Sequence, residues 1–143
     1  MVARPLFNDR LALICPRQHE LAQSDVVRWG QLDGIPVIAM ARGTTIRTLT
    51  DSAAAAAGVR LNIRLEPQLV PSATAFTRSG LGMAILPSSM VSAEHGLIAL
   101  TLTEPEVVRT ISLLYPSQYP LTPAAAAFCD HASDAAKDLK FGP

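Results

Sequence analysis

Short apolar runs separated by polar segments recur along the chain and predict its strands. Residues 10–15 (RLALIC) and 83–86 (MAIL) are mostly apolar and each is stopped by a proline, as expected of buried strands. Residues 61–65 alternate apolar with polar side chains, which is typical of a half-buried strand. The same signals predict further strands at residues 35–40, 97–103 and 109–116.

The clearest helical pattern lies in the middle of the chain. Apolar side chains recur there at helical spacing at Ile46, Leu49, Ala53 and Ala56, and Gly58 is placed to end the helix. Alanine has the highest intrinsic helix propensity, which strengthens the prediction.

Proline and threonine mark the starts of two more helices. Pro71 suits the first position of a helix over residues 72–79. Thr122 and Pro123 are a favourable N-cap and first residue for a C-terminal helix that runs to about Leu139.

A fourth, shorter helix is predicted over residues 24–32, where Ser24 is a good N-cap followed by an acidic residue. Between residues 35 and 86 the predicted order is strand, helix, strand, helix, strand. That alternation is the βαβ rhythm of a parallel sheet, so the predicted fold class is α/β.

Composition narrows the function classes. The chain has 143 residues, with 12 Lys+Arg against 12 Asp+Glu, and a formal charge of zero argues against DNA binding by this chain alone. It shows neither a signal peptide nor a membrane-spanning run, and Cys15 and Cys129 have no disulfide-framework or metal-site spacing. We therefore expect a cytoplasmic protein with no membrane partner, metal or cofactor.

The best candidate site is the start of the central helix, at Gly43, Thr44 and Thr45. A helix N-terminus that follows a parallel strand presents unpaired N–H groups and a positive dipole end, and so attracts carboxylates and phosphates. Arg42 or Arg47 would add positive charge. An alternative stays open with equal weight, namely that Thr44 only caps its own helix.

A second helix start, at Val70 and Ser72, follows another strand end and is expected to line the same cleft. Catalytic groups are not evident elsewhere, because His19, His95 and His131 lie in separate segments without partners at metal-ligand spacing. Residues 80–82 (GLG) do not extend to a dinucleotide-binding motif and are expected to form a tight turn. We therefore do not expect an enzyme.

An ordered set of segments resembles the effector-binding domain of LysR-type transcriptional regulators. These segments are DRLALICPRQHELA, WGQLDGIPVIAM, ARGTTIR, SGLGMAILP and RTISLLYPSQYPLTPAAAAFCDHA. The resemblance covers nearly the whole chain. It departs from the family at Glu20, where the family's His-Pro-Leu-Ala pattern has proline, and at the front, where the family's helix-turn-helix has no counterpart.

The resemblance implies a two-lobed fold like that of periplasmic solute-binding proteins, with an effector in the cleft between the lobes. Residues 16–102 then correspond to one complete Rossmann-like lobe. Residues 1–15 and 103–143 correspond to the crossings between lobes and a partial first lobe. Gly43, Thr44 and Thr45 fall where the second lobe makes its anion contacts.

The implied function is ligand sensing in a LysR-type regulator, with a small carboxylate-like effector and with DNA contacted only through an absent N-terminal domain. A solute-binding protein of a transport system is the alternative. A partial first lobe leaves strand edges and an apolar helix side uncovered, which predicts a homo-oligomer, a dimer or tetramer.

Overall fold

Seven strands and three α-helices carry most of the chain in the computed structural model, which describes residues 1–92 and 96–139. The chain divides into two units. Among the described residues, unit 1 contains Met1–Asp9 and residues 108–139, and unit 2 contains Arg10–Val107. The predicted lobe over residues 16–102, with crossings and a partial lobe in residues 1–15 and 103–143, stays a prediction.

The sheet of unit 2 has the strand order β2-β6-β1-β5-β3-β4. Its strands are β1 (Val2–Pro16, which starts in unit 1), β2 (Val26–Arg28), β3 (Pro36–Ile38), β4 (Asn62–Leu65), β5 (Met83–Pro87) and β6 (Leu97–Thr103). Strand β3 pairs in parallel with β4 and β5, which confirms the predicted βαβ rhythm. Strand β1 is antiparallel to both β5 and β6, so the complete sheet is mixed.

The predicted helices on either side of β4 are present. Helix α1 spans Thr45–Ala56 and α2 spans Val70–Arg78. Gly58 follows α1 with a φ of +68°, the left-handed conformation that commonly ends a helix. Helix α2 begins one residue before Pro71, whose missing N–H costs nothing in the first helical turn.

The core of unit 2 explains why its central strands are continuously apolar. Residues 11–15 of β1 and 83–87 of β5 are buried throughout, as in strands that are covered on both faces. Trp29 is also fully buried, and its indole N–H donates to the Pro105 carbonyl at 2.9 Å. This hydrogen bond satisfies the polar end of the largest core side chain.

The predicted helix over residues 24–32 is wrong. Val26–Arg28 forms strand β2, which pairs in parallel with residues 101–103 of β6, and only Trp29–Leu32 makes a turn of 3₁₀ helix. The Ser24 hydroxyl accepts from the Val26 amide at 3.3 Å instead of capping a helix. Pairing with a strand more than 70 residues away overrode the local capping signal.

Unit 1 contains β7 (Val108–Tyr115), which pairs with β1, and helix α3 (Pro123–Lys137). The predicted N-cap of α3 is confirmed, since the Thr122 hydroxyl accepts from the Ala125 amide at 3.3 Å. The buried Asp9 carboxylate pairs with Arg109 at 3.1 Å. None of the described helices is long and apolar enough to cross a lipid bilayer.

Candidate functional site

The carboxyl ends of β3, β4 and β5 lie at one edge of the sheet because these strands are parallel. We call this end, with the loops that leave it, the carboxyl edge. Helix α1 follows β3 and α2 follows β4, so both predicted helix starts belong to this edge. In open α/β sheets, ligands bind outside the carboxyl ends of the strands.

The loop that leads into α1 is tied down by its neighbour β4. The Ala39 amide donates to the Leu65 carbonyl at 3.2 Å, and the Ala41 amide donates to the Pro67 carbonyl at 2.9 Å. Gly43 has a φ of +88° and is exposed, so the chain turns there in a conformation that favours glycine. The result is a fixed backbone at the start of α1.

Three amides at this helix start have no acceptor among the residues that the structure describes. They belong to Gly43, Thr45 and Ile46, whereas the Arg47 amide donates to Thr44 Oγ1 at 3.2 Å. Unpaired N–H groups at the positive end of a helix dipole favour an anion. The structure thus shows unpaired N–H groups at this helix start, and anion binding there stays a prediction.

The Thr44 side chain acts as the helix cap. Its hydroxyl accepts from the Arg47 amide and donates its only proton to the Ala41 carbonyl at 2.9 Å. The hydroxyl therefore has no proton left for a ligand in this conformation. Thr45 is exposed at the first helical position, and the structure describes no partner for its hydroxyl.

Arg47 has a different place from the one its sequence position suggested. Its side chain is only 5% exposed, and it donates from Nε to both Asp51 oxygens and from NH1 to the Met40 carbonyl (3.1 Å) and to Glu66 (2.5 Å). Burial lowers the pKa of this guanidinium, but the hydrogen bonds to Glu66 and Asp51 outweigh burial and raise it. Arg47 therefore clamps α1 to the ends of β3 and β4.

Arg42 is the exposed cation of the loop. Its side chain is 83% exposed, and its Nε lies 3.8 Å from a Glu66 carboxylate oxygen. The hydrogen bond from Arg47, reinforced by Arg42, lowers the pKa of Glu66, so this carboxylate stays ionised beside the loop. Arg42 is held by one weak, solvent-exposed contact and is free to turn toward a ligand.

The start of α2 is less open than that of α1. The Ser72 amide donates to the Leu69 carbonyl at 3.1 Å, and Pro71 has no N–H to offer. Val70 lines a cavity of about 280 Å³ whose other lining residues include Thr74, Arg78 and Met90 but none of residues 42–45 or Ser72. The structure thus places Val70 and Ser72 at the same sheet edge as Arg42, Gly43, Thr44 and Thr45, in a separate helix start.

The structure also locates the residues considered for catalysis. His19 Nδ1 accepts from the Leu21 amide at 3.2 Å, and His131 is exposed on α3, while His95 lies outside the described residues. No group of three His, Cys, Asp or Glu side chains that would hold a metal occurs in residues 1–92 and 96–139. The tight turn predicted at residues 80–82 is present, with positive φ at both glycines.

The sequence did not indicate the Arg47 clamp. The spacing of Arg47 and Asp51 is that of a helical ion pair and was visible in the sequence. The contact with Glu66 joins residues 19 positions apart through strand pairing, which no local pattern shows. From the sequence alone, Arg47 and Asp51 therefore fit an exposed helical ion pair as well as a buried clamp.

Comparisons of this chain with known proteins agree on one family. The model of the LysR substrate-binding domain matches residues 1–137. The HTH-type transcriptional regulator YbhD of Escherichia coli is 29% identical over 126 residues, which cover 87% of this chain and 40% of that protein. A probable nitrogen assimilation transcriptional activator of Synechococcus elongatus is 26% identical over 121 residues, 82% of this chain and 39% of that protein.

Solved structures agree on the fold. The Synechocystis CcmR regulatory domain in complex with 2-PG superposes with a TM-score of 0.80 at 19% identity, over 96% of this chain and 68% of that one. The QuiR effector-binding domain in complex with shikimate gives 0.73 at 24% identity, over 95% of this chain and 65% of that one. These likenesses confirm the predicted periplasmic-binding-protein-like α/β fold, and the chain belongs to the LysR substrate-binding domain family.

Proposed function

We propose that this chain is the ligand-sensing part of a LysR-type transcriptional regulator and that it binds a small carboxylate-like effector at the carboxyl edge of unit 2. The observation that carries the proposal is the set of unpaired amides at Gly43, Thr45 and Ile46. They occur in a family whose solved members include domains in complex with 2-PG and with shikimate. Sensing rather than catalysis is also favoured by the relatives, which are named as regulators.

The electrostatics of the loop favour an anion over a neutral ligand. The amides supply directed donors, the helix dipole supplies partial positive charge, and Arg42 supplies a full charge on an exposed side chain. Glu66 already holds Arg47 and lies 3.8 Å from Arg42, so an effector carboxylate would compete with Glu66 for Arg42. We expect Arg42 to be the side chain that changes its contacts when the effector binds.

The alternative of a transport protein is disfavoured by the relatives. The chain spans about 40% of the length of the curated relatives that it matches, and these are transcriptional regulators. We propose that DNA is contacted by a part of the regulator outside this chain, in the cytoplasm. Effector binding would then shift the population of domain arrangements and so change how the intact regulator holds DNA.

We also propose that the chain forms a homo-oligomer. In unit 1, Leu114 and Phe128 are 66% and 63% exposed, although they are large apolar side chains. Such surfaces commonly mark protein contacts. Light scattering at micromolar concentration should give the mass of a dimer or larger species, and a monomeric mass would contradict this proposal.

The experiment that tests the effector site removes one amide without disturbing the helix. Thr45→Pro does this, because proline is favoured at the first helical position and the Thr45 amide makes no bond there. The residue before it, Thr44, already has the extended conformation (φ −85°, ψ 148°) that precedes proline. Thr45→Ala is the matched control, since it removes the hydroxyl and keeps the amide.

Binding is measured by calorimetry or thermal shift against a panel of small carboxylates that includes shikimate and succinate. A hydrogen bond to a charged group contributes about 1.5–3 kcal/mol, so Thr45→Pro should weaken the panel's best ligand by roughly 10- to 100-fold. Arg42→Gln should also weaken it, and Arg64→Gln, an exposed arginine on β4, should not. Unchanged affinity in folded Thr45→Pro and Arg42→Gln would refute the site.

Thr44→Ala is a weaker test of the same site. It removes the cap of α1 and is expected to cost about 1 kcal/mol of stability by itself. Any loss of binding in that variant would therefore mix a structural effect with a loss of contact.

A further inference from the structure

A second cavity lies at the opposite end of the same strands. It has a volume of about 310 Å³ and is lined by Pro36 and Met83, the first residues of β3 and β5. The carboxyl edge, where α1 and α2 begin, is at the other ends of these strands. We call this second space the amino-edge cavity, and its size is within the range of small-molecule pockets.

The walls of the amino-edge cavity are fixed backbone. Gly34, Gly80 and Gly82 all line it and all have positive φ, of +74°, +75° and +156°. A Cβ atom at Gly82 would lie 2.9 Å from the Pro36 carbonyl oxygen, so the wall is packed tightly at that point. A Cβ atom at Gly34 or Gly80 would meet nothing within 4 Å, in agreement with an open space beside them. A preformed cavity of this kind orders little on binding.

Three polar side chains line the cavity: His19, Glu20 and Thr77. The Thr77 hydroxyl already donates its proton to the Ala73 carbonyl at 3.1 Å, which leaves His19 and Glu20 to contact a ligand. His19 is half-buried, and its Nδ1 accepts from the Leu21 amide at 3.2 Å, which fixes the ring and places the proton of the neutral form on Nε2. The structure describes no acceptor for that Nε2–H. Glu20 is exposed and contributes the only carboxylate among the lining residues, and this carboxylate makes no hydrogen bond or ion pair within residues 1–92 and 96–139.

Apart from Thr77, the remaining side chains that line this space are apolar, chiefly Ile35 and Met83. A carboxylate, one N–H donor and an apolar wall select against anions and for an amine with an apolar body. We propose that the amino-edge cavity is a second ligand site that takes a small aliphatic amino alcohol. Its ammonium pairs with Glu20, its hydroxyl accepts from His19 Nε2, and its alkyl group lies against Ile35 and Met83.

The site is chemically opposite to the anion site proposed at the carboxyl edge, and it does not depend on that proposal. Leucinol is a suitable probe because it combines an isobutyl group, a hydroxyl and an ammonium. Two matched probes keep the alkyl body and change the head group: 4-methylpentan-1-ol is neutral and 4-methylpentanoate is an anion. Backbone amide NMR signals of Gly34, Gly80 and Gly82 report binding at the cavity itself.

Leucinol should shift these three glycine signals in a saturable way and bind more tightly than 4-methylpentan-1-ol. Glu20→Gln should weaken leucinol about twofold to fivefold, as expected for an exposed ion pair. Asp25→Asn, an exposed carboxylate that does not line the cavity, should leave the affinity unchanged. Glu20→Lys should reverse the preference, so that 4-methylpentanoate shifts the same glycine signals and leucinol does not.

The proposal is overturned if leucinol leaves the glycine signals in place. It is also overturned if 4-methylpentan-1-ol binds as tightly as leucinol in wild type and in Glu20→Gln, since the cavity would then be an apolar pocket for any alkyl group. Equal effects of Asp25→Asn and Glu20→Gln would overturn it as well. Thr45→Pro should not change leucinol binding, which separates this site from the carboxyl edge.

Discussion

Replacing Arg47 by methionine is the sharpest test of how the carboxyl edge is built. Methionine is apolar and similar in length to arginine, so its side chain can fill the buried space of Arg47 without a guanidinium. The change removes the hydrogen bonds to Asp51, Glu66 and the Met40 carbonyl. The Met40 residue is only 3% exposed, so its carbonyl loses a partner that water does not readily replace.

The expected loss of stability follows from the exposure of these partners. Asp51 and Glu66 have side chains that are 54% and 44% exposed, so both carboxylates regain water and contribute little to the loss. The hydrogen bond from a charged donor to the buried Met40 carbonyl contributes about 1.5–3 kcal/mol. Arg47→Met should therefore lower the free energy of unfolding by about 1.5–3 kcal/mol.

Urea denaturation followed by the fluorescence of Trp29, the only tryptophan, measures this loss. Arg64→Met is the matched control, because Arg64 is exposed on β4 and should change stability by less than about 0.5 kcal/mol. Arg47→Lys should recover only part of the loss, since an ammonium cannot reproduce the planar fork. A stability of Arg47→Met equal to wild type, or equal losses in Arg47→Met and Arg64→Met, would refute the clamp.

Three other predictions concern a glycine, a thiol and a carboxylate. Gly82→Ala should lower the free energy of unfolding, measured by urea denaturation, by about 1–3 kcal/mol. The reason is that Gly82 has a φ of +156° and that a Cβ there would lie 2.9 Å from a carbonyl oxygen. Gly30→Ala is the control, because a Cβ at Gly30 meets nothing within 4 Å. Burial raises the pKa of Cys15 to about 11, so in a Cys129→Ala background the thiol should react with Ellman's reagent at pH 8 only after unfolding. Stability should also fall as pH rises from about 9 toward 11, because the unfolded thiol ionises first. The pKa of Glu66 lies below its ordinary 4.5. Its contribution to the free energy of unfolding is therefore present above pH 4.5 and is lost as pH falls through the lowered native pKa. Glu66→Gln should flatten that part of a plot of stability against pH.

The local sequence was a good guide wherever a segment's structure depends on its own residues. The alanine-rich run with Gly58 specified α1, Thr122 with Pro123 specified the start of α3, and the buried runs of β1 and β5 were visible as continuous apolar segments. These signals arise from propensity, capping and burial, which act over a few residues. The family resemblance likewise rested on the order of such segments.

Local sequence failed where a distant partner decides the structure. The segment at Val26–Arg28 has a helix cap before it, yet its backbone pairs with residues 101–103 of β6, and the cap became a turn. The candidate site shows the same limit. Gly43, Thr44 and Thr45 were identifiable as a helix start, but the use of the Thr44 hydroxyl as a cap depended on the path of the loop.

The sequence by itself therefore determined the α/β class, the starts of α1 and α3 and the unpaired amides at the start of α1, because each arises from neighbouring residues. Only the tertiary structure decided that Arg47 is a buried clamp and Arg42 an exposed cation, because Glu66 reaches both only after β3 and β4 pair. The amino-edge cavity was likewise visible only in the tertiary structure. Its glycines come from two separate segments, the turn before β3 and the turn between α2 and β5, and sheet assembly brings them together.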